Sequence, residues 1–118
     1  IPLWIIADQV DPVTFYDTIK VHPNITVVLS EVHYSHYAWV MPLLRSLPNL
    51  CIEISRFFIT DGISRLIDTI GEKRILYGSR FPDSSMNPQL YHLHHCGLSE
   101  SSLTAICSGN LNRLLNME

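Results

Sequence analysis

The stretch KRILYGSRFP, Lys73 to Pro82, places a short apolar run directly before a glycine, a serine and an arginine. Its apolar part is the last of four such runs, which span Pro2 to Ile6, Ile25 to Leu29, Leu50 to Ile54 and Arg74 to Tyr77. The runs begin at residues 2, 25, 50 and 74, so they recur at intervals of 23, 25 and 24 residues. Short runs rich in Ile, Val and Leu are typical of strands buried on both faces of a parallel sheet.

Helical signals fill the gaps between these runs. Asp11 and Pro12 predict an N-cap followed by a proline at the first helical position. Pro42 is expected in the first turn of the second helix, because a proline deeper inside would break the hydrogen-bond ladder. The third helix is predicted around Ile63 to Ile70, with Gly71 as its left-handed stop. The remaining helices are expected from Asn87 to Gly97 and from Ser99 through Leu115.

Strands that alternate with helices at this spacing predict right-handed βαβ units and a parallel sheet. Four such units are half of an eightfold barrel, whose full length is typically about 250 residues. They also fit a small, open, doubly wound sheet, and the periodicity alone does not separate the two. No glycine-rich phosphate loop follows any of the four runs, which argues against a dinucleotide-binding domain.

Composition narrows the class of protein and of partner. The 118 residues are enough for one domain, and 47% apolar against 16% charged residues is typical of a globular fold. The net charge of −3 gives no basic field for nucleic acid, and neither a membrane span nor a signal peptide is evident. Because the chain opens at Ile1, directly in an apolar run, we expect a partial chain. Three widely spaced cysteines (Cys51, Cys96, Cys107) predict reduced thiols and a cytoplasmic location.

The segment Lys73 to Pro82 resembles the signature R-[IL]-[LM]-[FY]-G-S-D-x-P at the eighth strand of the amidohydrolase-2 family, which includes aminocarboxymuconate-semialdehyde decarboxylase-like and lactonase-like enzymes. Four more segments are similar to the family's fifth, sixth and seventh strands and its closing helix: IPLWIIADQ (1–9), HPNITVVLSE (22–31), LPNLCIEIS (47–55) and SGNLNRLLN (108–116). The resemblance implies that residues 1–118 are the C-terminal half of an α/β fold, the (β/α)8 TIM barrel, with four parallel strands.

The resemblance also implies where metal ligands would lie. The family holds one or two divalent metals, usually zinc, through an HxH pair on the first strand and further ligands on the fifth, sixth and eighth. In this chain Ile6 stands at the fifth-strand position, Glu31 at the sixth-strand position and Arg80 at the eighth-strand position. Isoleucine has no lone pair to offer, and arginine carries a permanent positive charge. We therefore expect no metal and no other cofactor, and no metal-activated water.

Glu31 and Arg80 are the candidate site residues. They follow two strands of the same sheet, so both are expected at the same mouth of the barrel. An acidic residue replaces a neutral ligand while a basic one replaces an acidic ligand, which predicts an internal ion pair. In the alternative interpretation, both positions drifted after selection relaxed, and both face solvent.

Other polar residues allow a functional and a structural interpretation. His33 and His36 lie in the loop after the predicted sixth strand and could bind a metal, although such pairs are more often solvated or hydrogen-bonded. Arg56, Phe57 and Phe58 could line a ligand pocket, although aromatic residues more often pack in a core or an interface.

The C-terminal third carries a second group of candidates. Asp83 could approach the mouth or lie in a turn. The set His92, His94, His95 and Cys96 resembles a metal cluster at first sight, but residues two apart on a helix do not face each other. Surface or packing roles are therefore expected for this set.

Three functions follow from these patterns. We favour a non-catalytic barrel over an active hydrolase or decarboxylase in which Arg80 binds the carboxylate of a small-molecule substrate. The third is an interaction module, because four strands leave two open edges and a half-exposed inner face. Such a half would pair with its missing N-terminal half or form a homo-oligomer.

Overall fold

One sheet of four short parallel strands organises the computed structural model, which describes residues 1–116. The strands are β1 (Leu3–Ile6), β2 (Val27–Ser30), β3 (Leu50–Glu53) and β4 (Ile75–Leu76), in that spatial order. Leu3 pairs with Val27, Val27 with Leu50, and Ile52 with Ile75. Each crossover to the next strand passes through a helix, so the predicted α/β fold, half of a TIM barrel, is confirmed.

The described part of the chain, residues 1–116, has six α-helices around the sheet. They are α1 (Pro12–Ile19), α2 (Tyr37–Ser46), α3 (Gly62–Ile70), α4 (Asn87–His95), α5 (Glu100–Thr104) and α6 (Asn110–Leu114). A π-helical turn, Ala105–Gly109, joins α5 to α6, and 3₁₀ turns span Ala7–Gln9, Tyr34–His36 and Glu72–Arg74. Within residues 1–116, no helix combines the length and apolarity that crossing a bilayer requires.

Helix boundaries follow the predicted capping residues in most places. The Asp11 carboxylate accepts a hydrogen bond from the Thr14 backbone N–H, and Pro12 opens α1. Gly71 ends α3 with φ of 77°, a left-handed conformation that glycine adopts without steric cost.

The position predicted for Pro42 is wrong. It lies inside α2, because that helix begins at Tyr37, directly after the 3₁₀ turn Tyr34–His36. His33 caps this turn through its ring nitrogen, and a histidine cap gives no familiar sequence signal. The helical conformation therefore starts earlier than the apolar pattern indicates.

Apolar residues fill both faces of the sheet. The main core lies between one face and the surrounding helices, and includes Val27, Leu29, Leu50, Ile52 and Ile75, none of which is measurably exposed. On the other face, Val28, Cys51 and Leu76 are covered by Leu111 and Leu114. The three cysteines are free thiols, as expected, and burial raises the pKa of Cys51.

Candidate functional site

Polar side chains gather where the carboxyl ends of the four strands meet. A cavity of about 430 Å³ lies there, between the segments that follow β2, β3 and β4. It is lined by His33, Tyr34, Ser55, Arg56, Phe58, Arg80 and Ser84. Loops at the carboxyl ends of barrel strands are where the active sites of TIM-barrel enzymes lie. We therefore take this mouth as the candidate functional site.

Glu31 and Arg80 form the ion pair that their replacement pattern predicts. The Arg80 Nε lies 3.0 Å from Glu31 Oε1, and the two side chains are 34% and 26% exposed. Both residues have left-handed backbones, with φ of 57° for Glu31 and 60° for Arg80. Such conformations are strained for residues with a Cβ, and strain of this kind clusters at functional sites. A catalytic role for either residue stays a prediction.

A second polar group joins the loops after β1 and β2. His36 Nε2 lies 2.7 Å from Asp8 Oδ1, and His33 Nε2 lies 3.7 Å from the same oxygen. The two rings are held by a capping box: His36 Nδ1 accepts the His33 backbone N–H, and His33 Nδ1 accepts that of Ser35. Both Nε2 atoms therefore face the Asp8 carboxylate.

The electrostatics of this group favour an ionised Asp8 carboxylate and a neutral His33 ring. The hydrogen bond to His36 lowers the pKa of Asp8, and the nearby His33 and Arg56 add to the effect. Burial and the repulsion from His36 and Arg56 lower the pKa of His33. Arg56 Nη1 lies 4.0 Å from Asp8 Oδ2, so a cation supports the carboxylate from its other oxygen.

Glu53 is a buried carboxyl group beneath the mouth. Burial raises its pKa, while hydrogen bonds from the Ser55 hydroxyl and from the Ser55 and Glu31 backbones oppose that shift. The carboxyl group also fills the space beside Gly78, where any Cβ would overlap it. Glu53 thus contacts the ends of the strands on either side of its own.

Some of the predicted pocket residues lie where the sequence placed them. Arg56 and Phe58 line the cavity, whereas Phe57 is fully buried in the core. Ser84, and not Asp83, lines the cavity on the β4 side.

The histidines of α4 take the packing and surface roles expected for them. His92 stacks on Phe58 with ring centroids 6.3 Å apart, and His95 Nδ1 lies 2.7 Å from the Tyr91 carbonyl oxygen. Within the described chain, only Asp8, His33 and His36 bring three possible metal-binding atoms together.

Sequence reasoning missed Asp8 and Glu53. Asp8 follows the Ile6 position by two residues. Glu53 stands at an acidic position of the seventh-strand pattern that the chain resembles. These two positions are the only signals for Asp8 and Glu53 in the sequence. A function can be inferred from them only when the residues that lie near them in the fold are known.

The three positions in this chain that the resemblance assigns to metal ligands do not fit a metal. Ile6 is an alkyl side chain, the Arg80 guanidinium occupies the mouth as a cation, and Glu31 is engaged in the pair with it. The nearby set of Asp8, His33 and His36 does fit in its chemistry, because two imidazoles and one carboxylate are donors that zinc accepts.

Comparison with known proteins agrees with this architecture. The chain matches the family described as Amidohydrolase over residues 2–117. Among solved structures, amidohydrolase 2 from Bifidobacterium longum subsp. infantis aligns with a TM-score of 0.75 and 17% identity, covering 100% of this chain and 50% of that one. Two structures of 2,6-dihydroxybenzoate decarboxylase, one from Rhizobium and one in complex with 2,6-dihydroxybenzoate, align with a TM-score of 0.64.

Both decarboxylase alignments have 21% identity and cover 84% of this chain and 37% of the decarboxylase. The chain thus spans half or less of the length of these proteins. Identities this low show a shared fold. No curated protein matches the chain.

The prediction that no cofactor is needed is wrong. The matched family is metal-dependent, and Asp8, His33 and His36 place one possible ligand atom each within 4.8 Å of one another. The sequence presents His33 and His36 as a loop pair, but nothing in it places Asp8, from a different loop, beside them. Loop residues 25 or more positions apart meet only when the strands are in register.

Proposed function

Because the chain belongs to the amidohydrolase family, we propose that it forms half of a barrel that hydrolyses or decarboxylates a small substrate bearing a carboxylate. The observation that supports this proposal is the pair of guanidinium groups, Arg56 and Arg80, on the wall of the mouth cavity. One structural neighbour, 2,6-dihydroxybenzoate decarboxylase, acts on such a carboxylate.

Arg80 has the geometry to bind a carboxylate without losing its present partner. Its Nε contacts Glu31, and the two terminal nitrogens have no hydrogen-bond partner among residues 1–116. A guanidinium binds a carboxylate best through two parallel N–H donors, and such charged hydrogen bonds are among the strongest in proteins. Glu31 therefore holds Arg80 in place and also moderates its charge.

Phe58 supplies an apolar surface for the remainder of the substrate. Its ring is 54% exposed, and on its other side it stacks on His92. An exposed aromatic ring beside two cations suits a planar or cyclic carboxylate, since binding cavities combine apolar walls with a few placed polar groups.

Asp8 and His36 provide a means of moving a proton at the same mouth. A carboxylate that holds an imidazole at 2.7 Å orients the ring for proton transfer. A divalent cation held by Asp8, His33 and His36 would supply an activated water. The chain's own residues would then bind the carboxylate with Arg80.

The second candidate is a non-catalytic barrel that binds the same class of ligand. Ile6 and Arg80 favour it, because they stand where the resembled family has two of its ligands. The cavity and its two guanidinium groups would serve binding equally well without turnover.

Activity and binding assays on the protein that contains this chain test both candidates. Turnover and binding of 2,6-dihydroxybenzoate and other small carboxylates would be measured with and without added zinc or manganese. We expect Arg80→Ala to weaken carboxylate binding at least tenfold, which corresponds to about 1.4 kcal/mol or more. Glu31→Gln should strengthen carboxylate binding, because no neighbouring carboxylate then offsets the charge of Arg80. The matched control is Arg65→Ala, on the exposed face of α3.

The outcomes separate the two candidates. Turnover that is lost in Arg80→Ala supports the enzyme. Arg80-dependent binding without turnover under any metal condition supports the non-catalytic barrel. If no carboxylate binds, or if Arg65→Ala has the same effect as Arg80→Ala, both are refuted.

A further inference from the structure

We propose that Asp8, His33 and His36 form a zinc site that is displaced from the family's ligand positions and whose protein ligands all come from this half of the barrel. The inference does not depend on the proposed activity, because zinc binding and turnover are measured separately. It concerns only the loops that follow β1 and β2.

The displacement has the same size on both strands. Asp8 lies two residues beyond Ile6, and His33 lies two residues beyond Glu31. Ile6 pairs with Ser30 across the parallel ladder, so Asp8, two residues past the end of β1, and His33, three residues past the end of β2, lie in loops that run side by side. The donors have thus moved together along both loops, while the original positions hold an alkyl group and an ion pair.

The distances fit a single ion. Zinc–ligand bonds of about 2.0–2.1 Å in a tetrahedron place ligand atoms about 3.3 Å apart. The two Nε2 atoms lie 2.7 and 3.7 Å from Asp8 Oδ1, on either side of that value. Modest side-chain movement is therefore enough to surround an ion with all three donors.

The surroundings orient each donor. Arg56 lies beside Asp8 Oδ2 and so leaves Oδ1 for the ion, and the Ser35 hydroxyl lies 2.8 Å from His33 Nδ1. The hydroxyl oxygen can accept a proton held on Nδ1, and an acceptor of this kind fixes ring orientation in zinc sites. Asp8 is 58% exposed on its side chain, which gives an ion access and leaves a fourth position for water. Three protein ligands and an open position are typical of catalytic rather than structural zinc.

Zinc binding would change the hydrogen bonding of the His36 ring. Its Nδ1 accepts the His33 backbone N–H at 3.1 Å, so without metal the neutral ring carries its proton on Nε2. Zinc held at Nε2 would take the place of that proton, and the neutral ring would then carry its proton on Nδ1. A proton on Nδ1 opposes the His33 N–H and opens the capping box of the Tyr34–His36 turn.

Metal titration of the stripped protein tests the site. Zinc binding would be followed by calorimetry, and cobalt would be used as a spectroscopic probe of coordination. We expect Asp8→Asn and His33→Ala each to remove one metal equivalent or to weaken it at least tenfold. Both side chains are at least partly exposed, so these variants should fold. The control variants, His92→Ala and His94→Ala, should retain wild-type binding.

Ring-nitrogen NMR then identifies the donor atoms. Zinc should shift the Nε2 resonances of His33 and His36 and the His33 backbone amide. The proposal is overturned if the wild type binds no zinc, or if Asp8→Asn and His33→Ala bind as much zinc as tightly as the wild type. One site lost in these variants, in a protein without turnover, would support the zinc site and contradict the proposed enzyme.

Discussion

At the scale of single residues, Glu53 and Glu31 show how the mouth departs from ordinary stability rules. Glu53 is a carboxyl group in a buried place, and its ionised form is disfavoured by lost hydration. Glu31 holds a backbone conformation that suits glycine. Both features lower stability at the position where binding or chemistry is proposed, which is a common pattern at functional sites.

The raised pKa of Glu53 predicts a pH-dependent stability difference. The unfolded chain loses the Glu53 proton near its ordinary pKa of 4.5, whereas the folded chain keeps it to higher pH. Between the unfolded and the folded pKa of Glu53, the folded state therefore binds more protons than the unfolded state. The free energy of unfolding falls as pH rises through this range. Denaturant unfolding of the wild type and Glu53→Gln at several pH values checks this. The wild type should lose stability relative to the variant as pH rises from about 4.5; parallel curves would contradict the prediction.

The left-handed backbone at Glu31 predicts that a glycine variant is more stable than an alanine variant at this position, the reverse of the order within a helix. Glu31→Gly should be more stable than Glu31→Ala by about 1 kcal/mol, because both lose the Arg80 contact and only alanine keeps the steric strain. The same pair of substitutions at Ser64, within α3, should favour alanine by about 1 kcal/mol. Chemical denaturation measures the stability difference between the glycine and alanine variants at each position. If alanine is the more stable residue at both positions, the backbone at Glu31 is not strained.

At the scale of elements, Arg74 ties the end of α2 to the start of β3. Its guanidinium donates to the Leu44 and Leu47 carbonyl oxygens at 2.7 Å and, through Nε, to the Leu50 carbonyl oxygen at 2.8 Å. Carbonyl groups at a helix end have no partner within the helix. Burial removes water from the Arg74 guanidinium and lowers its pKa. The hydrogen bonds to the three carbonyl groups offset this loss of hydration.

Removal of this connection should destabilise the fold. We expect Arg74→Ala to lower the free energy of unfolding by about 3 kcal/mol, because hydrogen bonds from a charged donor are lost and carbonyl groups are left buried. Arg74→Lys should recover only part of the loss, since an ammonium group lacks the planar fork. Arg65→Ala is the surface control and should change stability by less than about 0.5 kcal/mol. Equal effects at the two arginines would contradict this role.

At the scale of the whole molecule, the sheet has an unpaired edge. Along β1, Leu3, Trp4 and Ile6 are 49%, 45% and 38% exposed, whereas Val28, on the neighbouring strand, is fully buried. An exposed apolar edge strand is a template for pairing with another strand. The inner face is better covered than the sequence indicated, because Leu111 and Leu114 pack against Val28, Cys51 and Leu76.

The open edge predicts self-association of the polypeptide 1–118 when it is expressed alone. Sedimentation velocity should show oligomers whose share grows with concentration, and Leu3→Lys should shift the population towards the monomer. Val21→Lys, at a residue that is 63% exposed and outside β1, is the control and should leave association unchanged. A monomer at all concentrations would argue against pairing through this edge.

The sequence by itself determined the strand and helix repeat, most helix boundaries and the family, because these depend on local periodicity, capping residues and short motifs. It also offered an ion pair of Glu31 with Arg80 as one of two interpretations, since both follow strands of one parallel sheet, and the structure shows that pair. Only the tertiary structure brought Asp8 to His33 and His36. Their meeting depends on the register of β1 with β2 and on the turn that the His33 cap begins, and neither property belongs to any one segment.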